Sequence, residues 1–229
     1  MTKNHLKRNK APKSWNIKRK ENSFIMRPLP GQSSFQLGMP LSTVLKEYIK
    51  VANSQREVRY LLNNKQVMVD NKETTEPKTI VGFMDVVSIP KLNKSYRFML
   101  NQKRKLLVVE IPQSESDKKI CKVVGKTLFK GKIQLNLYDG RNILLDKDGY
   151  KVGDSVLISL PKVKIIEHFK LEKKAYIMLT SGSHIGQRGT IESIENRKIT
   201  YKRKTGEVFE TDAKHMFIIG KEKEALKTE

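Results

Sequence analysis

Strand-length apolar runs separated by turn residues recur every eight to twelve residues through the middle and end of this chain, and that rhythm admits few folds. Ile133, Leu135 and Leu137 alternate with polar residues up to Asp139-Gly140, the dipeptide favoured in a two-residue hairpin turn, and Ile143–Leu145 resumes beyond it. Val152-Gly153-Asp154 then turns into Val156–Leu160. Short antiparallel strands at this spacing close into a small barrel or sandwich, expected over about residues 101–178. A second, smaller barrel is expected from Tyr176–Leu179, Thr190-Ile191, Ile199–Tyr201, Val208-Phe209 and Met216–Ile219. Between its first two strands stand Gly182, Gly186 and Gly189. Glycine accepts positive φ without penalty, so this array predicts a tight exposed loop whose amides approach a partner, with Ser183, His184 and Arg188 beside them. The polar residues 221–229 are expected to fray.

Ahead of the strands the periodicity changes. Leu41, Val44, Leu45, Tyr48 and Ile49 fall on one stripe of a helix, with Lys46 and Lys50 projecting from its other face. Ser54 and Glu57 have capping-box spacing and predict the start of a second helix with Val58, Leu61 and Leu62 inward. Arg56 and Arg59 then lie on its outer side, and with the two lysines they would form a short basic platform. This helix should stop at Asn63-Asn64, followed by a strand at Val67–Val69, a turn at Asp70-Asn71 and another strand at Asp85–Ile89.

The charge identifies the partner class. Forty-six Lys and Arg against 24 Asp and Glu leave a formal net charge of +22, a field that draws in polyanions. It is densest in the first thirty residues, where nine basic residues face one acidic. Pro12, Pro28, Pro30, Gly31 and Gly38 break any regular period there, so residues 1–38 read as an extended arm that orders on binding. Trp15 and Phe24 argue against an inert solvated tail. An aromatic among Lys3, Lys7, Arg8, Lys10, Lys13, Lys18, Arg19 and Lys20 suits stacking on a base while the cations neutralise phosphates.

Other chemistries find little support. One cysteine, Cys121, excludes a disulfide framework and fits a reducing cytosol, and the four histidines lie at no metal-ligand spacing. No cofactor, metal, small-molecule substrate or catalytic residue is expected. Asp139 and Asp146 suit hairpin ends better than acid–base work, and His184 lacks a Ser, Cys or Asp partner spaced for catalysis. No apolar stretch approaches the roughly 20 residues of a membrane span, and Lys3, Lys7 and Arg8 stand where a signal peptide would become apolar.

His5-Leu-Lys-Arg8, Ala11-Pro-Lys13 and Trp15 resemble the opening of the archaeal and eukaryotic small-subunit ribosomal protein S-four-e family. Gln55-Arg-Glu57 to Leu62, Val67-Met-Val-Asp70, Pro77 and Val81 to Pro90 are similar to that family's S-four RNA-binding domain. Gly131 to Asn142 resembles its central β domain, and Ser181 to Gly186, Gly189-Thr-Ile191 and Phe217 to Gly220 resemble its KOW motif. The succession covers nearly the whole chain in the family's order. The chain ends soon after Gly220, a compact length closer to archaeal members than to animal or plant ones.

The resemblance implies an α+β, multidomain protein: a basic extended N-terminal arm over 1–38, a small α/β S-four-type domain over 39–100, a central β-barrel-like domain over 101–175, an SH3-like KOW barrel over 176–220 and a polar tail over 221–229. It implies a cytoplasmic structural constituent of the small ribosomal subunit, bound to ribosomal RNA and neighbouring ribosomal proteins. The helix pair, the arm, and the loop at Gly186 and Arg188 would be the contact surfaces. Two rivals remain open, an RNA-modifying enzyme targeted by an S-four domain and a KOW-type factor that visits its partner transiently. One departure stands out: family members tend to have glycine where this chain has Lys65 and Asn71. Lys65 would be strained in left-handed geometry, so either Asn64 takes over the cap or the loop is reshaped, which puts an RNA contact by Lys65 in doubt.

Overall fold

The computed structural model describes residues 4–31, 33–195, 198–203 and 205–228. The chain divides into two compact units, residues 1–99 with 104–117, and residues 100–103 with 118–229. The fold is mostly β-sheet with few helices. In the first unit a five-stranded sheet runs in the order Lys72–Glu73, Met68–Val69, Val86–Ile89, Lys94–Leu100 and Leu106–Ile111. Two smaller ribbons pair Leu6–Lys7 with Phe24–Ile25 and Gly38–Pro40 with Ile80–Gly82.

The stripe at Leu41, Val44 and Leu45 is fully buried, as its period requires. The helix carrying it is shorter and wider than expected. One α-turn, Leu41–Thr43, passes into a π-helical stretch, Val44–Tyr48, where Ile49 N–H donates to Val44 O at 3.0 Å. Ser42 and Thr43 are buried too, so the far face is not the open basic surface the period predicts.

The second helix, Gln55–Asn63, begins as the capping box predicts. Glu57 N–H donates to Ser54 Oγ at 3.2 Å, and the Glu57 carboxylate accepts from Asn53 N–H at 2.8 Å. Its end corrects the expectation at Lys65. Lys65 itself takes the left-handed conformation at φ +54°, while Asn64 stays at φ −81°. Lys65 N–H donates to Leu62 O and Gln66 N–H to Leu61 O, both at 3.0 Å, which closes a Schellman motif with lysine where glycine is usual. Asp70 and Asn71, at φ +51° and +58°, make the two-residue turn between Val69 and Lys72.

The arm is not extended. Trp15 is 1% exposed, and its indole N–H donates to Gly38 O at 3.0 Å. Asn16 N–H donates to Tyr48 Oη at 2.7 Å, and Leu106 N–H reaches back to Ser14 O at 2.8 Å. A tryptophan left in water would forfeit the apolar burial that its neighbours supply, so the arm packs onto the unit that follows it.

The second unit holds two antiparallel five-stranded sheets. One runs Asn142–Leu145, Lys132–Leu137, Lys118–Phe129, Ser155–Ser159 and Lys164–Phe169. The long strand Lys118–Phe129 serves two partners: residues 118–122 pair with Ser155–Ser159, residues 123–129 with Lys132–Leu137, and a bulge between Val123 and Gly125 turns one half from the other. Its core gathers Cys121, Val123, Leu135, Leu137, Val156, Ile158 and Leu160. At Asp139-Gly140 the turn differs from the two-residue form. Leu137 N–H donates to Arg141 O at 2.9 Å, and only Gly140 takes positive φ, so three residues form the loop. Asp139 is held elsewhere: buried, it lies 3.2 Å from Lys119 Nζ and 3.3 Å from Arg141 Nε. Burial alone would raise its carboxyl, but Lys119 and Arg141 outweigh it and keep it below the usual carboxylate range.

The other sheet runs Val208–Asp212, Lys198–Lys202, Arg188–Glu195, Tyr176–Leu179 and Met216–Gly220. The tail does not fray. Ala225 N–H donates to Ile219 O at 3.0 Å, and Leu226 and Thr228 are buried. Lys122 joins the two sheets, its ammonium donating to the carbonyls of Ala213, Lys214 and Met216 at 3.2, 2.9 and 2.6 Å. Burial lowers its pKa to about 8 against the pull of Asp212.

Candidate nucleic-acid interface

The second helix is the clearest presentation of cations to solvent. Its inward face is Val58 and Leu62, which forces Arg56 and Arg59 outward, and both are exposed. Tyr60 lies beside them at 67% exposure. No sequence motif marks Tyr60; its exposure beside the arginines is what singles it out. An exposed aromatic next to two arginines can cover a base while the guanidiniums bond phosphate. The platform's other half is weaker. Lys50 is exposed at φ +59°, whereas Lys46 is half-buried. Glu57 sits close by, its carboxyl held low first by Asn53 N–H and Ser54 and last by Lys46, so this surface is not uniformly positive.

Within the arm the cations separate into two groups. Lys7, Lys10, Lys13 and Lys20 are exposed, and Lys18 is exposed but 3.2 Å from Glu21. Arg8 is buried, its guanidinium 2.8 Å from Glu47 and bonded to Lys18 O, and cannot reach a phosphate. Arg19 donates to Ala11 O and Pro12 O at 2.9 and 2.8 Å, holding the arm's own turn. Trp15 is closed to base stacking by its burial. Lys3 lies outside the described residues. Lys65 is exposed and pairs with Glu73 at 2.9 Å.

The glycine loop belongs to the second unit, and its glycines serve different ends. Gly182 and Gly186 have φ of +86° and +81°. A Cβ on Gly186 would stand 2.1 Å from Asn101 O, and one on Gly189 2.4 Å from Lys202 O, so these two allow backbones to pack rather than a ligand to approach. Arg188 is turned inward, 2.7 Å from Glu224 and 3.0 Å from Thr228 O. Ser183 is exposed and His184 half-buried. The His184 ring lies 5.0 Å from that of Phe209, and the Arg203 guanidinium sits 4.1 Å above Phe209. The sequence pattern did not pick out Arg203 and Phe209, which meet His184 only through strand pairing.

Among the described residues no group of three or more His, Cys, Asp or Glu could hold a metal ion. Nor is any helix among them long and apolar enough to cross a membrane.

Residues 92–165 match the ribosomal family S4e, and residues 2–31 match the RS4NT (NUC023) domain. The small ribosomal subunit protein eS4 of Methanosphaera stadtmanae is 39% identical over 231 residues, 97% of this chain and 94% of that protein. Its counterpart in Methanocaldococcus jannaschii is 38% identical over 241 residues, 98% of this chain and 97% of that protein. The crystal structure of the 30S ribosomal protein S4e from Thermoplasma acidophilum superimposes with a TM-score of 0.68 at 34% identity, covering 80% of this chain and 95% of that one. With sequence likeness running almost end to end and the fold shared with a solved member, this chain belongs to the ribosomal family S4e.

Proposed function

We infer that the chain is a structural constituent of the small ribosomal subunit, not an enzyme, and that it binds ribosomal RNA as part of the cytoplasmic ribosome beside neighbouring ribosomal proteins. The observation that carries the RNA contact is the helix Gln55–Asn63, which turns Arg56, Arg59 and Tyr60 to solvent in a chain of net charge +22. The exposed arm lysines extend that surface. The finer organisation we propose is an arm over 1–38, an S-four-type domain over 39–100, a central β domain over 101–175, a KOW-type SH3-like domain over 176–220 and a tail over 221–229. Binding is dominated by phosphate and selective for shape, because side chains cannot read the narrow major groove of an RNA duplex.

Two experiments test this. Sedimentation of extract through a sucrose gradient should place the chain in the small-subunit peak at near-equal stoichiometry, before and after a high-salt wash. Release of the chain by the wash would mark a transient factor instead. In binding to purified small-subunit ribosomal RNA, the folded Arg56→Ala/Arg59→Ala double variant should weaken affinity and flatten the salt dependence by about 0.7 to 0.9 log units for each phosphate it no longer neutralises. Unchanged affinity and slope would remove the helix from the interface.

A further inference from the structure

The strands Lys118–Phe129 and Lys132–Leu137 end in a hairpin that none of the surfaces above involves. Phe129 pairs with Lys132 across Lys130 and Gly131, whose φ of +50° and +77° form a two-residue turn. Residues 118–122 pair with Ser155–Ser159 and Val123 still bonds Gly153 and Asp154, but residues 125–129 pair only with Lys132–Asn136, so the ribbon's end overhangs the sheet. Leu128 pairs with Ile133 on the face that carries the core, yet it is 83% exposed. Phe129 lies on the opposite face and is 49% exposed. The tip is therefore apolar on both faces, a shape that burial on a flat surface cannot satisfy.

Its edges are cationic. Lys130 Nζ stands 5.5 Å from the Phe129 ring centroid, and Lys132 lies 2.9 Å from Asp146. Lys126 pairs with Asp148, while Lys147 in the adjacent turn is exposed. Lysines outnumber aspartates around a two-sided apolar wedge. That combination fits a cleft with anionic walls and an apolar, stackable interior. An RNA loop or junction with splayed bases has that chemistry, since Phe and Leu can insert between unstacked bases while lysines meet the flanking phosphates. We propose that the 126–132 hairpin is a second RNA contact, in which Phe129 and Leu128 wedge against unpaired bases of ribosomal RNA. The proposal rests on the RNA-binding reading above but concerns a different unit and a different mode of binding.

The test uses the full chain and purified small-subunit ribosomal RNA. Phe129→Ala/Leu128→Ala removes exposed side chains, so folding should persist, as circular dichroism will check. The double variant should bind about ten-fold more weakly with the salt slope unchanged, because stacking is removed while counterion release is kept. Lys130→Ala/Lys132→Ala should instead flatten the slope. A photo-crosslinking phenylalanine analogue at 129 should attach to bases in RNA. Parent-like affinity of the Phe129/Leu128 variant, or a crosslink in assembled subunits that goes only to protein, overturns the hairpin's role and leaves the helix assignment standing. Failure of the parent chain to bind the RNA overturns both.

Discussion

The most constrained residues here are charged ones taken out of water. Asp139 is buried between Lys119 and Arg141, with Cys121 Sγ 3.5 Å from its carboxylate. Removing a partner from a buried pair leaves an uncompensated charge, so Lys119→Met should destabilise the second unit by about 3 kcal/mol, read from urea unfolding. Because the Asp139 carboxyl is depressed, its contribution is present above the ordinary value of 3.8 and disappears as pH falls through the lower folded value. Trp15→Ala should cost about 3 kcal/mol in the first unit by emptying the site under Gly38 O. None of these partners was legible from sequence. Arg8 and Trp15 carry the residue types of an RNA-binding arm, and only the fold reveals that Glu47 and Gly38 wait for them. Lys7, Lys10 and Lys13 stand in solvent, as charges without an acidic neighbour in sequence should, and so does Lys20 although Glu21 follows it.

At the scale of elements, legibility followed the reach of the forces involved. The capping box at Ser54 and Glu57, the helix end at Asn63 and the strands at Leu135, Ile143, Val156 and through the last sheet follow local patterns and appear where these place them. The central strand Lys118–Phe129 and the edge strand Lys164–Phe169 carried no such signal. Ser54→Ala should therefore cost about 1 kcal/mol of first-unit stability. The turn at Asp139 answers to a distant charge, Lys119, while the cap at Lys65 is local but runs against the preference of its residue type. Left-handed geometry is costly for a residue with a Cβ, and the Schellman bonds from Lys65 and Gln66 hold Lys65 there nonetheless. Lys65→Gly should thus raise the urea midpoint, a gain of up to about 1 kcal/mol reduced by removal of the surface pair with Glu73. A lower midpoint would mean that the ion pair outweighs the backbone. Gly186 shows the same limit. Its spacing suggested an exposed loop, whereas its want of a Cβ answers to Asn101, a residue the local pattern does not reach.

For the whole molecule, the two units should respond differently to mild alkali. Burial raises Tyr48 from 10.0 to about 12, against the pull of Asn16 N–H, so its stabilising contribution to the first unit is present below pH 10 and vanishes as pH approaches 12. Lys122 is depressed from 10.5 to about 8, so the unfolded chain binds more protons in that interval and its contribution to the second unit grows as pH rises from 8 to 10.5. Trp15 is the chain's one tryptophan and lies in the first unit, so its fluorescence follows that unit while circular dichroism follows both. Between pH 8 and 10 the fluorescence midpoint should hold steady as the second transition moves up, and above pH 10 the first should fall. The multi-sheet class and the ribosomal family were legible from the succession of motifs. The return of the arm was not, because it depends on bonds that join distant parts of the chain.

That return has a consequence for synthesis. The first unit comprises residues 1–99 and 104–117, and Leu106 N–H closes on Ser14 O. That bond must wait for a residue made about ninety positions later, which at some 5 to 20 residues per second means several seconds in which the arm holds only its nearer partners, Gly38 for Trp15 and Glu47 for Arg8. During that interval the arm is less firmly held than in the finished protein, so a nascent chain meets RNA with its basic end only partly packed.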